Sequence, residues 1–363
     1  METGSRPIGR PPDKLALVAM KLRSQIIEGV LAPGTQLPPR AQLEQAFGVS
    51  NVTVQRAIDS LRRDGFVHTS TRGTYVAPNP PHLCRYALSF SGRPASLGSW
   101  SIFHNAIQQA ATAIGSDPQT QFAPYFEMDA KAESPDFHRL LADVHHRRLA
   151  GIVFVWPPYT IAHTDIVLQP GMPRAGIMAD PFVGIPAVSP DVESFIDRAI
   201  QFLASRGRHR VAVLGTNVFH HEEQRVFAAA RKHGLLVRPQ WIQAASHQNA
   251  YAASHVAQLL MSARGEELPD GLIVTDDNLV EQTMAGLVVA GVRVPEDLEI
   301  VTHCNYPCPV PSVLPATRLG FDCGQVLRRC IEVINMQRRG EPTPQRVLVP
   351  ALFEEELDKA SRS

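Results

Sequence analysis

From Arg85 onward the chain alternates short aliphatic, β-branched runs with amphipathic stretches of helical period, and this alternation leaves few folds open. The strand candidates are Tyr86–Phe90, Ala123–Glu127, Gly151–Val155, Ala175–Met178, Arg210–Leu214, Gly271–Val274 and Glu299–Thr302. Between and after them fall predicted helices at Phe103–Ile114, Asp136–Arg148, Val192–Arg206, Glu222–His233, Tyr251–Ser262, Asn278–Ala290 and Gly324–Arg338. Strands that alternate with helices of this length form parallel sheets covered on both faces. The stretch is long for one such core, so an α/β fold of two lobes is expected, with a cleft at the C-terminal ends of the strands.

The first 77 residues follow another pattern. Residues 1–12 are polar and rich in Pro and Gly, a loose arm. Leu15, Ala19, Leu22 and Ile26 then recur at helical spacing until Gly29, and Pro33-Gly34 marks a turn. Arg40 to Phe47 reads as a short helix with Leu43, Ala46 and Phe47 inward, followed by a tight Gly48-Val49-Ser50 connection. The Ser50 hydroxyl suits an N-cap for a helix that buries Val54, Ile58 and Leu61 and stops at Gly65. Phe66–Thr69 and Thr74–Val76 are two short strands around Ser70–Gly73. Helix, helix, turn, helix, hairpin is the order of a winged helix-turn-helix.

In such a head the last helix offers short polar side chains at its N-terminal end to base edges and keeps an apolar back. Asn51, Thr53, Gln55 and Arg56 lie on or near the outer side, where an amide suits adenine and a guanidinium suits guanine. Ser50 and the neighbouring N–H groups suit a phosphate, as does Arg40 at the start of the preceding helix. Arg72-Gly73 at the hairpin tip suits the minor groove. Charge agrees with this division. The chain is neutral overall, but residues 1–78 carry ten Lys/Arg against six Asp/Glu, a basic head on an acidic body. Pro78-Asn79-Pro80-Pro81 reads as an extended, semi-rigid linker that holds two modules apart.

The run Leu22-Arg23…Ile26…Gly29…Pro33-Gly34-Thr35-Gln36-Leu37-Pro38, then Gly48-Val49-Ser50-Asn51-Val52-Thr53-Val54-Gln55-Arg56-Ala57-Ile58…Leu61…Gly65-Phe66-Val67…Gly73-Thr74-Tyr75-Val76, resembles the GntR-type winged helix over about residues 14–77. The resemblance implies DNA contacts at Arg40, Ser50, Asn51, Thr53, Gln55, Arg56 and the wing tip. Asn51 and Gln55 stand where that family often has arginine, which points to a different operator preference.

Farther along, Asp270-Gly271-Leu272-Ile273-Val274-Thr275-Asp276-Asp277-Asn278 and Gly291-Val292-Arg293-Val294-Pro295-Glu296-Asp297-Leu298-Glu299-Ile300-Val301 resemble the LacI/GalR-type regulatory domain, a relative of periplasmic sugar-binding proteins. Ser205-Arg206-Gly207-Arg208-His209-Arg210 leading into Val211–Gly215 is similar to that family's entry into the second lobe. The resemblance implies an N-terminal winged helix-turn-helix (1–77), a linker (78–84) and a two-lobed periplasmic-binding-protein-like α/β domain (85–357) for effector binding and dimerisation. It places effector contacts at Trp100, Trp156, Asp191, Arg225, Asp277 and Asn305. Asp277 has an alternative reading as N-cap of the following helix, Trp100 and Trp156 as core residues, and Glu222 competes with Arg225 for one position. Thr302-His303-Cys304-Asn305 departs from the family's Gly-Tyr-Asp-Asn, so the pocket is expected to differ from that of the well-known sugar repressors.

The expectation is a cytoplasmic, homodimeric transcription regulator, a repressor, that binds a double-stranded DNA operator under control of a small carbohydrate effector. The alternative is a sugar-binding or sugar-processing protein without DNA function. An enzyme is not expected, since no P-loop, GxGxxG or GxSxG pattern occurs. Neither a metal nor a cofactor is expected: His221-Glu222 lacks a second histidine four residues on, and Cys304 and Cys308 have no matching pair. The five cysteines form no CxxC and read as reduced thiols, and no run suits a signal peptide or a membrane span.

Overall fold

The structure, a computed structural model, describes residues 14–94, 101–128, 134–216, 220–262, 265 and 268–360. The head consists of α1 (Lys14–Ile27), α2 (Arg40–Phe47), α3 (Asn51–Arg63) and a hairpin of β1 (Val67–Ser70) and β2 (Gly73–Val76). Val18, Ala19, Leu22 and Ile26 of α1 meet Val54, Ala57, Ile58 and Leu61 of α3 in one core. Of the three residues expected to face inward from α2, Leu43 is buried and Phe47 half-buried, but Ala46 is exposed. Gly48 ends α2 in the left-handed region at φ 62°, which lets the chain turn sharply into the Ser50 cap.

The first lobe contains β3 (Arg85–Ser89), α5 (Ile102–Ile114), β4 (Gln121–Tyr125), α6 (Pro135–His145), β5 (Gly151–Phe154), α7 (Asp165–Leu168), β6 (Arg174–Ile177) and β7 (Ala187–Pro190), and it is preceded by the short α4 (Pro81–Cys84). The second contains α8 (Val192–Ser205), β8 (Val211–Gly215), α9 (His220–His233), β9 (Ile242–Ala244), α10 (Ala252–Leu260), β10 (Gly271–Val274), α11 (Val280–Val289), β11 (Glu299–Tyr306) and β12 (Thr317–Asp322). The chain then returns to the first lobe with α12 (Cys323–Arg338) and β13 (Arg346–Val349), and ends in the second with β14 (Leu352–Phe353) and α13 (Glu354–Ala360).

The strand order is β13-β7-β6-β5-β3-β4 in the first lobe and β14-β12-β11-β10-β8-β9 in the second. Within these two sheets the strand pairings are parallel except β12 with β14. Each sheet is covered on both faces, which is why Gly271–Val274 and Gly151–Phe154 are buried along their whole length. Pro124 is tolerated because β4 is an edge strand.

Several strands were not anticipated. β7 lies between Pro186 and Pro190, and β12 carries Arg318 and Gly320, so neither looks apolar in isolation. β11 runs to Tyr306 and not to Thr302, because β12 pairs beside it from Val301↔Thr317 to Tyr306↔Asp322. The segment 302–305 is therefore strand.

The chain crosses between the lobes three times, at β7–α8, β12–α12 and β13–β14. Asp191 caps α8 through Ser194 N (3.0 Å) and Asp322 caps α12 through Gly324 N (2.8 Å). Asp191 N donates to Val349 O (2.8 Å) and Ala351 N to Ser194 Oγ (3.0 Å), which ties two of the crossings together.

The linker does not behave as a spacer. Pro80 and Pro81 are buried, Pro81–Cys84 forms a helical turn, and the His82 ring stacks on Phe66 at 5.7 Å. Burying the proline rings against the head removes apolar surface that an extended spacer leaves in water.

In the second lobe α10 and α11 touch at Gly286, where a Cβ would lie 2.2 Å from the Ser254 carbonyl oxygen. Gly286→Ala forces the two helices apart and is expected to destabilise the lobe by about 1–3 kcal/mol. Urea unfolding followed by tryptophan fluorescence measures this, and an unchanged midpoint would contradict the close approach.

Candidate DNA interface and effector cavity

The face of the head opposite its core is polar. Ser50 is extended at φ −75°, ψ 159°, and its hydroxyl accepts from Thr53 N at 3.4 Å and lies 3.1 Å from Thr53 Oγ1. Asn51 is exposed with its amide on Glu44 Oε1 (2.6 Å), and half-buried Gln55 donates to Asp59 Oδ1 (3.1 Å). Arg40 and Arg56 are exposed, and so is Val52, at 59%. Ser50, Asn51 and Arg56 thus share the free edge of α3 with Thr53 and Gln55 half-buried beside them, while its back is locked into the core.

Arg72 is exposed at the wing tip, and its carbonyl accepts from Gln36 Nε2 (3.0 Å). Gly73 has φ 140°, and a Cβ there would stand 2.5 Å from Gln36 Nε2. The glycine is what allows the wing to close onto the α1–α2 loop, where Leu37 N also donates to Thr74 O (2.8 Å). A groove between that loop and the wing is lined by Gln36, Arg40, Gln42, Thr69, Thr71 and Gly73.

The second lobe holds a cavity of about 210 Å³ at the C-terminal ends of its strands. Phe195 and Phe321 form apolar walls; Thr216, Thr275, His303, Glu223 and Arg225 contribute polar groups. The volume is below the ~300–1,000 Å³ of drug-sized sites, so the cavity has room only for a small molecule. The His303 ring lies between Phe195 (5.4 Å) and Phe321 (5.6 Å), with Nδ1 4.0 Å from Asp277 Oδ2.

Asp277 is 2% exposed and stands behind His303, outside the cavity lining. Its Oδ2 accepts from Asn305 N (3.1 Å) and Nδ2 (2.9 Å), so the two residues expected to touch effector bind each other. Burial, opposed by nearby His303, pushes the Asp277 carboxyl above the ordinary carboxylate range. The N-cap here is Asp276: its Oδ1 accepts from Asn278 N (2.9 Å) and its Oδ2 from Thr216 Oγ1 (2.9 Å).

The other expected residues are dispersed. Arg225 is exposed on α9 and reaches the cavity rim. Asp191 caps α8 and lines a neighbouring groove between α8 and α9. Trp156 follows β5 in the first lobe and is 60% exposed, so it is not a core residue. Trp100 and the side chain of Glu222 lie outside the described residues. Sequence reasoning missed His303, Thr216, Thr275 and the two phenylalanines. Thr216, Thr275 and Phe321 stand at the ends of parallel strands and His303 within β11 once it is extended to 306, whereas Phe195 comes from α8.

The lobes touch across the cleft. Ile102 N at the start of α5 donates to Asn278 Oδ1 (3.2 Å), and Cys308 Sγ to Gln109 Oε1 (2.8 Å). Among the described residues no group of three or more His, Cys, Asp or Glu is placed to hold a metal, and no helix is long and apolar enough to cross a membrane.

Residues 16–76 match the model of the bacterial regulatory proteins of the gntR family, and residues 200–354 match the periplasmic binding protein-like domain. The chain is 22% identical to an arabinose metabolism transcriptional repressor of Halalkalibacterium halodurans, over 93% of this chain and 95% of that one. Over 60 residues it is 40% identical to the mannosyl-D-glycerate transport/metabolism system repressor of Escherichia coli, covering 16% of this chain and 25% of that repressor. Among solved structures it is similar to a putative ribose operon repressor from Burkholderia thailandensis (TM-score 0.53, 16% identity, 75% of this chain and 98% of that one). It is also similar to a LacI-family regulatory protein from Chloroflexus aggregans (TM-score 0.56, 16% identity, 74% and 96%). The chain thus joins a gntR-family DNA-binding head to a two-lobed periplasmic-binding-protein-like domain, and it is a transcriptional regulator.

Proposed function

We propose that this regulator is a cytoplasmic homodimeric repressor whose hold on an operator is set by a small sugar-like effector in the second-lobe cavity. The observation that carries the reading is the free polar edge of α3, with Ser50, Asn51 and Arg56 exposed beside the wing tip while the same helix buries Val54, Ile58 and Leu61. In this reading Ser50 and Arg40 hold phosphates, Asn51, Thr53, Gln55 and Arg56 meet base edges, and Arg72 with Gly73 enters the minor groove. Two heads on two half-sites multiply the modest affinity of one.

Arg225, His303, Thr216 and Thr275 are proposed to meet the effector directly. Asp277 and Asn305 act through the strand they hold, Trp156 from the opposite lobe, and Asp191 from the crossing at α8. The cavity binds and does no chemistry. A small polyhydroxylated ligand suits its aromatic walls and hydroxyl-bearing rim. The sugar named for the Halalkalibacterium relative, arabinose, is a rational first probe. The effector changes DNA affinity only as far as it binds the two lobe arrangements unequally.

The head is tested by fluorescence anisotropy on random duplex across a salt series. The wild type is expected to show a steep negative slope of log affinity against log salt, and Arg40→Ala to lower that slope by about one. No binding at low salt would defeat the regulator reading.

The cavity is tested by thermal shift with arabinose, ribose and glucose, since an occupant at 100 times its Kd stabilises by about 2.7 kcal/mol. Asp277→Ala strands the Asn305 donors and is expected to cost about 1–3 kcal/mol. Asp277→Asn leaves an acceptor oxygen for Asn305 and is expected to keep both fold and ligand response. Because the folded carboxyl is raised, this group's contribution is most favourable when it is protonated in both states. That contribution is lost as pH rises through the ordinary carboxylate range toward the folded value. Asp277→Asn removes this loss, so urea midpoints of the variant should gain on the wild type as pH rises through and above the ordinary carboxylate range. A ligand response that disappears in a stably folded Asp277→Asn protein would place the carboxylate on the effector itself.

A further inference from the structure

The C-terminal end of the recognition helix is held by the effector domain. Asp64 caps α3, and its Oδ2 lies 2.5 Å from Arg23 Nη2 of α1. Its Oδ1 lies 2.7 Å from Arg148 Nη1, on the turn between α6 and β5 of the first lobe. Arg148 Nε in turn lies 2.6 Å from Asp143 Oδ1 on α6. Asp143 is 3% exposed, accepts a hydrogen bond from Tyr125 OH of β4 and sits 3.6 Å from Arg85 Nη2 of β3. Three basic and two acidic side chains therefore form an unbroken ladder from α1 and α3 to the end of β4.

Around the ladder, His82 stacks on Phe66, Pro81 packs at Gly65, and Arg338 Nη1 at the end of α12 donates to Leu83 O (3.3 Å). A tether needs none of these contacts. The two arginines also face the negative end of the α3 dipole, a favourable placement. Arg148 meets two carboxylates with different nitrogens, which fixes an orientation as well as a distance.

We propose that Asp64, paired with Arg148, is a positioning residue for DNA binding: it makes α3 a lever moved by the first lobe instead of a head on a flexible leash. The proposal rests on α3 being the DNA-reading helix. The 13-residue helix places Ser50 and Asn51 roughly 20 Å from the ladder. With the fulcrum at Asp64, a 10° tilt of the lobe carries the DNA-facing end through about 3 Å, enough to break hydrogen bonds to base edges. Lobe rotation thus reaches the helix through the ion pairs, and residues 78–80 need not transmit it.

The test uses the full chain and compares Arg148→Ala, Arg148→Lys and Asp64→Asn, with the exposed Arg329→Ala as control. Hydrogen exchange of residues 64–84 reads the docking, and anisotropy reads affinity for a duplex selected from a random library by the wild type. Arg148→Ala and Asp64→Asn are expected to speed exchange across 77–84 at least tenfold while the sheet strands of both lobes keep wild-type protection. Affinity for the selected duplex should fall several-fold, and non-specific binding at low salt should stay at the wild-type level. Arg148→Lys, which keeps the charge without the fork, should recover part of both effects. Wild-type exchange and affinity in Arg148→Ala and Asp64→Asn would overturn the proposal while leaving the regulator reading intact. Failure of the wild type to select any duplex would sink both.

Discussion

Everything in the larger domain depends on each sheet being parallel, save for the edge strand β14, and covered on both faces. A parallel strand has to be re-entered from the same end, so the chain returns over the faces as helices, and each strand finishes at one common edge of its sheet. The two edges face one another because the three crossings, at 190–192, 322–323 and 349–352, keep them there. The edge leaves N–H groups and helix starts without sheet partners. Asp191, Asp276 and Asp322 satisfy some of these, each capping the turn or helix that begins where a strand has just ended. The carboxylates at the cleft are thus first of all structural, and the cavity forms among the side chains that the strands deliver beside them.

This explains which parts of the molecule were legible. Gly271–Val274 announces itself because four consecutive positions are apolar and fully buried. The head announces itself through local chemistry: the Ser50 cap, the left-handed Gly48 and the wing glycine each constrain their immediate neighbours. β7 and β12 stayed hidden because a proline, an arginine and a glycine occupy them, and only pairing makes them strands. Gly320 is a clear case, since its Cβ would lie 1.7 Å from the Cys304 carbonyl oxygen. The position is fixed by β11, a neighbour that propensity at 320 does not report.

The same reasoning separates the two sites. The residues expected at DNA come from two short helices and one hairpin that are close in the chain, so spacing alone assembles them. The cavity takes Phe195 from α8, Thr216 from the end of β8, Thr275 from the end of β10, His303 from β11 and Phe321 from β12. No sequence window contains these residues, and the pattern suggested Asp277 and Asn305 because they flank the recognisable motif. The structure pairs those two, and the pair accounts for how His303 reaches the cavity. Asp277 is spent on the β11 backbone at Asn305, which steadies the strand two residues after the imidazole.

A junction made of charges, where the head meets the first lobe, also follows from its task. An apolar junction of the same area would hold the head more tightly, because partly buried ion pairs recover little more than they lose in desolvation. Such a junction would also tolerate sliding, whereas a guanidinium held between two carboxylates by different nitrogens is restricted in direction as well as in distance. Arg148 is buried enough to be shielded from salt and exposed enough, at 21% of its side chain, to exchange its partners for water. That combination fixes the direction of the head while leaving the junction open to rearrangement.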